Sequence, residues 1–271
     1  MHRSYLYVPG DRPDRMEKAL NSSADALILD LEDAVAPSAK DSARTAVADF
    51  LGRHRGSSEP ALCVRLDAAS LERDLEALGG QLPAIDALVL PKANAARLAA
   101  LDELLGTGAT PIIALVESAA GVLDAPALAA HPRVRNLAIG EADLAADLGV
   151  IVSADGRELW AVRSALVVAS AAAGKAPPTA PVDVDITDLD GVRIRSGALR
   201  AAGFGARSCI HPSHVPIVNE VFRPSPQEIE HAQALVTAFD DAIARGEGVF
   251  VDDRGRLVDE AVVRSARRLL A

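Results

Sequence analysis

Eight short apolar runs, each followed by a helix-like stretch, divide this chain, and polar or charged residues gather where each run ends. The runs cover residues 3–8, 26–31, 61–66, 87–90, 111–116, 134–140, 178–185 and 206–210. At their C-terminal ends stand Pro9-Gly10-Asp11-Arg12, Glu32-Asp33, Arg65, Pro91-Lys92, Glu117-Ser118, Glu141 with Asp143, Asp183 with Asp185, and His211-Pro212. Parallel strands buried on both faces read as continuous apolar runs, as Ala26-Leu27-Ile28-Leu29 and Ala87-Leu88-Val89-Leu90 do. Successive runs are roughly 29 residues apart, room for one strand, one helix and two short loops. Polar groups at one end of eight successive strands are what a (β/α)8 TIM barrel needs to build an active site. The expected fold is therefore α/β: a TIM barrel over residues 1–222, followed by a short helical extension over 223–271.

Helix signals support the division. Ser225-Pro226-Gln227-Glu228 is a capping box with proline at the first helical position, opening a helix to about Arg245. Further helices are predicted over 94–105 and 157–173, and from Thr187 to near Gly203. The longest strand-to-helix connection is expected at 141–156. Beyond Phe222 the pattern gives one helix, a strand-like piece at 249–251, a turn at 252–255 and a final helix from about Asp259. This tail is too small to stand as a domain and is expected to pack on its own barrel or on a neighbouring subunit.

Hydrophobic residues make up 49% of the chain and aromatics only 3%, so Ala, Leu and Val must do the packing. A net charge of −10 argues against broad binding to nucleic acid or an anionic membrane surface. Cys63 and Cys209 both fall inside predicted strands without a CxxC spacing and read as buried thiols. The N-terminus enters a strand without a signal-peptide core, and the apolar stretch 161–174 contains Arg163 and is too short to span a bilayer. A cytoplasmic protein is expected.

Glu117 ends the fifth run, where an unpaired carboxylate would be costly. Asp143 follows the sixth run in Gly140-Glu141-Ala142-Asp143-Leu144. Neighbouring strands lie about 5 Å apart, so these two carboxylates can share one cation, and two oxygen donors with room for water suit Mg²⁺. The competing readings are a Glu117 ion pair with Lys92 or an arginine, Asp143 as a helix cap, and Glu141 or Asp147 as the second ligand. Arg12, Arg65 and Lys92 are candidate substrate-binding cations, of which the arginines can grip a carboxylate bidentately where the lysine ammonium cannot. The rival for Arg65 is an internal ion pair with Glu32 or Asp33; for Arg12 and Arg15 it is a solvated loop charge. Alternation sends Asp30 and Glu32 to one face and Asp33 into the loop. These three acids are expected to orient Arg65 and Lys92 from behind, since a third ligand carboxylate would overcharge a site meant for an anion.

These stretches together resemble the citrate lyase β-subunit and malyl-CoA lyase group of the HpcH/HpaI aldolase superfamily. The matching segments are 3–13 (Arg-Ser-Tyr-Leu-Tyr-Val-Pro-Gly-Asp-Arg-Pro), 29–35 (Leu-Asp-Leu-Glu-Asp-Ala-Val), Val64-Arg65, Leu90-Pro91-Lys92, the Glu117 strand, 140–149 and Ile210-His211-Pro212. The resemblance implies a Mg²⁺-dependent lyase that cleaves a 3-hydroxyacyl-CoA of citryl, citramalyl or malyl type to acetyl-CoA and a 2-oxo acid such as oxaloacetate or pyruvate. It implies that Glu117 and Asp143 bind Mg²⁺, that Arg65 contacts substrate, and that a tail acid, matched here by Asp259, serves a neighbouring active site within a homotrimer. The family places an Asp just before the glycine of this stretch. Here Arg254 stands there, with Asp253 one place earlier, and Asp259 is also suited to cap the last helix. Arg12 is the first-loop cation expected near the CoA phosphates. Two rivals are an aldolase acting on free hydroxy-oxo acids without CoA, and a citrate lyase subunit that depends on an acyl-carrier partner.

Overall fold

Alternation along each strand sorts side chains between two cores. In β2 (Ala26–Asp30), Leu27 and Leu29 face outward, while Ala26, Ile28 and Asp30 face inward. In β3 (Ala61–Arg65), Leu62 and Val64 face outward and Ala61, Cys63 and Arg65 inward. The structure, a computed structural model, describes residues 2–54, 56, 60–252 and 255–270. The chain falls into two compact units, Met1–Phe222 and Arg223–Ala271.

The first unit continues the alternation around a closed ring. Its order is β1 (Ser4–Pro9), α1 (Pro13–Ala19), β2, α2 (Lys40–Arg53), β3, α3 (Leu71–Leu78), β4 (Ala87–Leu90), α4 (Ala95–Leu105), β5 (Ile112–Val116), α5 (Ala119–Ala130), β6 (Val134–Ile139), α6 (Glu141–Leu148), α7 (Trp160–Ala172), β7 (Thr179–Ala180), α8 (Leu189–Ala201), β8 (Ala206–Cys209) and α9 (Val215–Val221). The eight strands pair in sequence order, all parallel, and β8 closes on β1. The bore is filled mostly by small side chains (Ala26, Ala61, Cys63, Ala87, Ala138, Ala206) around Tyr5, as a narrow eight-stranded barrel requires. The larger core lies between sheet and helices, where Phe50, Leu51, Leu101 and Leu128 cover the outward leucines and valines.

Two local expectations are corrected. The seventh run forms a strand of only two residues. Pro181 has no N–H to continue a ladder, and its carbonyl accepts instead from Arg207 Nε of β8 at 3.0 Å, while Arg207 Nη2 holds Asp183 at 3.0 Å. Residues 141–156 are not one long connection: α6 begins directly at Glu141 and ends at Gly149, which takes the left-handed conformation at φ 66°. Asp143 consequently sits in the first helical turn.

The second unit holds α10 (Pro226–Ala244), an antiparallel pair β9 (Phe250–Val251) and β10 (Leu257–Val258), and α11 (Glu260–Leu270) around Phe239, Val258 and Val263. The capping box is present: Ser225 Oγ accepts from Glu228 N at 3.1 Å, and Glu228 Oε2 from Ser225 N at 2.7 Å. Of the expected turn at 252–255, Asp253 and Arg254 lie outside the described residues. Among the described residues no helix is long and apolar enough to cross a membrane.

Gly10 marks where β1 leaves the barrel. A Cβ there would lie 2.7 Å from the Asp30 carbonyl oxygen and 2.9 Å from Val47 Cγ2. Gly10→Ala is expected to destabilise the fold by about 1–3 kcal/mol. Urea titration should show a lower midpoint at an unchanged slope; an unchanged midpoint would mean the β2 backbone yields freely.

Candidate active site

The period of two that fills the bore also builds the site. The inward positions one step beyond the apolar column are Tyr7, Asp30, Arg65, Glu117, Gly140 and Ser208. All six line one cleft of about 370 Å³ at the C-terminal mouth, together with Asp33, Leu115, Ile139, Asp143, Val182 and Ile210.

Arg65 is its fixed cation. The β2–β3 register sets Asp30 opposite Arg65. Their side chains pair bidentately, Nε to Oδ1 at 2.7 Å and Nη2 to Oδ2 at 2.6 Å. Asp30 is itself anchored by the N–H groups of Glu32 and Ala34. The Tyr7 ring lies 5.0 Å from the guanidinium carbon. Arg65 Nη1 stands 3.0 Å from Glu32 Oε2 and 3.4 Å from Asp33 Oδ2. The fork that sequence reasoning offered to substrate is thus committed to Asp30, and the edge near half-exposed Asp33 is the one a ligand can reach.

Glu117 is buried just past the end of β5. Its Oε1 accepts from the main-chain N–H of Lys92 at 2.6 Å, so its protein partner is a peptide group and not the Lys92 ammonium. Burial pushes its carboxyl up to about 7; the Lys92 N–H opposes this and nearby Asp143 adds to it. Glu32 is more extreme. Among the described residues neither of its buried oxygens has a hydrogen-bond partner, the Arg65 approach being a close ion pair that is off-line for a hydrogen bond. Burial raises it to about 8, with Arg65 opposing and Glu117 reinforcing.

Asp143 is exposed and lines the cleft from α6. Two other acids considered from sequence have partners of their own: Glu141, which also lines the cleft, pairs with Arg163 at 2.5 and 2.7 Å, and Asp147 Oδ2 accepts from Ala119 N at 2.7 Å. Arg12 pairs with Asp14 at 3.1 Å on the surface and does not line the cleft. The Lys92 side chain is half-exposed, its Nζ 4.0 Å from Glu32 Oε1. Asp259, in the second unit, accepts from the N–H groups of Ala261 and Val262 at the start of α11. Tyr7 and Lys40 were missed from sequence. Lys40 Nζ holds the loop after β2 through the carbonyls of Leu31 at 2.6 Å and Glu32 at 2.7 Å. Tyr7 was detectable from its inward parity; Lys40 had no signal in its neighbours.

Among the described residues no cluster of three His, Cys, Asp or Glu forms a ready-made metal cage. The Glu117 and Asp143 carboxylates are hard oxygen donors whose mutual repulsion a divalent cation would relieve.

An eight-stranded parallel barrel with paired acids and a buttressed arginine at its C-terminal mouth has the architecture on which barrel enzymes build their active sites. A family model described as HpcH/HpaI aldolase/citrate lyase matches residues 3–212, and the chain belongs to that family. A (3S)-malyl-CoA thioesterase of Cereibacter sphaeroides (strain KD131 / KCTC 12085) is 36% identical over 276 residues, spanning 99% of this chain and 93% of the relative. An L-malyl-CoA/beta-methylmalyl-CoA lyase of Cereibacter sphaeroides (strain ATCC 17029 / ATH 2.4.9) is 33% identical over 298 residues, spanning 98% and 92%. The crystal structure of CitE from Mycobacterium tuberculosis, in complex with magnesium, acetoacetate and coenzyme A, superposes with a TM-score of 0.80 at 34% identity, covering 99% of this chain and 96% of that one.

Glu32 and Glu117 retain protons in the folded, metal-free protein at pH values where the unfolded chain has lost them. The stability tied to those protons is present below the ordinary carboxylate range and is lost as pH rises through about 7 and about 8. The melting temperature of metal-free protein should therefore fall between pH 5.5 and 8.5, and Glu32→Gln should flatten the fall. Equal slopes in parent and Glu32→Gln would show that Glu32 is ionised throughout.

Proposed function

We propose that this chain is a Mg²⁺-dependent carbon–carbon lyase that cleaves a 3-hydroxyacyl-CoA of citryl, citramalyl or malyl type to acetyl-CoA and a 2-oxo acid. The observation that carries this reading is the convergence of Glu117 and Asp143 on one cleft beside a guanidinium that cannot move away. The magnesium, acetoacetate and coenzyme A bound by CitE support it. Glu117 and Asp143 would hold the metal, which when bound supplies Lewis acidity at the hydroxyl and carboxylate oxygens of the substrate.

The protein's own groups account for the rest. A general base takes the hydroxyl proton, the oxygen's electron pair becomes the carbonyl of the 2-oxo acid, and the electron pair of the breaking carbon–carbon bond passes into a thioester enolate, which then takes a proton at carbon. Arg65, held by Asp30 and stacked on Tyr7, keeps its Nη1 edge fixed as a preorganised N–H donor for the developing enolate oxygen. Leu115, Ile139, Val182 and Ile210 give the cleft apolar walls that limit water at the reacting carbon. The proton donor assigned by this reading is Asp259 of a neighbouring subunit, within a trimer that exchanges its tails.

A thioesterase reading is favoured by the 36% identical relative of that name. The two reactions share a substrate and part in their products. Hydrolysis of malyl-CoA releases free CoA thiol and malate; cleavage releases glyoxylate and leaves the thiol acylated. With Mg²⁺ and citryl-, citramalyl- and malyl-CoA in turn, a 2-oxo acid signal without free thiol is expected, and thiol without 2-oxo acid would install the thioesterase. Turnover by the isolated protein would exclude an obligatory carrier partner, and cleavage of a free 4-hydroxy-2-oxo acid in place of the CoA esters would favour the CoA-independent aldolase.

Glu117→Gln keeps an acceptor for the Lys92 N–H while removing the charge. It should lower Mg²⁺-dependent turnover by more than about 100-fold, since even outer-sphere partners of a metal are worth about 10–100-fold, with a melting temperature close to the parent's. Collapse of the fold instead would assign Glu117 a structural role. Asp259→Asn should reduce turnover with little change in metal affinity; parent-like turnover would leave Asp259 as a helix cap only.

A further inference from the structure

We infer that Lys92 acts on the site through its main chain, as one jaw of a clamp that sets the Glu117 carboxylate, with Gly140 as the other jaw. The inference rests on the reading of Glu117 as a metal ligand and deepens it. Lys92 is the one non-glycine residue with positive φ among the described residues, at 48°. A side chain in that region brings its Cβ against the following carbonyl oxygen, so the surrounding structure must impose the turn. The cause is local. The β4–β5 ladder pairs Leu90 with Ala114 and resumes where Ala93 N donates to Leu115 O at 2.9 Å. Between them Pro91 has no N–H to give, and the left-handed turn at Lys92 swings its N–H out of the ladder onto Glu117 Oε1 at 2.6 Å.

The opposite side of the carboxylate is closed by Gly140. A Cβ there would lie 2.6 Å from Glu117 Oε2 and 2.9 Å from its Cβ. Gly121 in α5 keeps the Lys92 turn in place from behind, since a Cβ on it would collide with the Ala93 carbonyl oxygen. The carboxylate is therefore gripped between a peptide N–H and a bare α-carbon, and one rotamer of Glu117 is selected before any ligand arrives. The same turn leaves the Lys92 ammonium 4.0 Å from Glu32 Oε1, so a single residue links the two buried carboxyls.

Manganese affinity of the metal-free full-length protein, read by electron paramagnetic resonance, tests this without recourse to turnover. Lys92→Gly and Lys92→Met keep the N–H and should bind Mn²⁺ within about twofold of the parent. Lys92→Pro and Gly140→Ala should bind roughly 10-fold or more weakly, the scale of a lost outer partner of a metal ligand. A tenfold loss in Lys92→Gly or Lys92→Met, or parent-like affinity in Gly140→Ala, overturns the inference; the first two variants decide it even where the others fail to fold. Glu117→Gln separates this result from the reading beneath it. Parent-like Mn²⁺ affinity in that variant would mean Glu117 is no ligand and the proposed function falls. Loss there with none in Gly140→Ala overturns the clamp alone.

Discussion

The bidentate contact between Arg65 and Asp30 is the constraint from which the mouth of this barrel is built. It follows from register: β2 and β3 pair so that the last inward residue of one strand faces the last inward residue of the other. A guanidinium taken this far out of water needs its charge answered, and Asp30 answers it with both oxygens while the Glu32 and Ala34 N–H groups hold Asp30. Glu32 then finds Arg65 within 3.0 Å but gains no hydrogen bond, and its carboxyl rises to about 8. Two of the three acids around Arg65 thus differ in kind: one neutralises it, the other is a buried group at the edge of ionisation.

Much of the fold was legible because buried parallel strands leave a coarse signal. Continuous apolar runs gave the eight strands, and turn chemistry gave several helices, the Ser225 capping box among them. Where the reading failed, a tertiary contact had intervened. The seventh run looked like a full strand because it carries the β-branched residues Thr179, Val182 and Val184. Nothing in its own residues announces that Arg207, some 26 residues later, takes the Pro181 carbonyl. Residues 141–156 looked like one long connection, yet Glu141 is matched by Arg163, and Ala142, Leu144, Ala145, Ala146 and Leu148 are good helix formers.

The site divides in the same way. That polar chemistry gathers at the strand ends is written in the sequence, and the parity of Tyr7, Asp30, Arg65 and Glu117 is the same parity that fills the bore. Which group serves which partner is not. Lys92 reads as a charge in sequence, whereas its contact with Glu117 is made by a peptide N–H at a backbone angle that the letters do not show. Arg12 reads as a free cation and is found beside Asp14. Side-chain identity predicts what a residue is able to do, and only geometry tells which of its atoms is used.

The two-residue β7 gives the cylinder a seam. It meets β6 through a single register pair and β8 through two, whereas β2 shares five pairs with each neighbour. A cylinder with one thin stave does not breathe evenly around its circumference. Main-chain amides beside that stave should surrender their protons to solvent first, while those around β2 stay shielded until the whole ring comes apart. The wall holding Arg65 thus belongs to the stiffest sector of the ring, and the slack is carried by the sector where Arg207 stands in for missing ladder bonds.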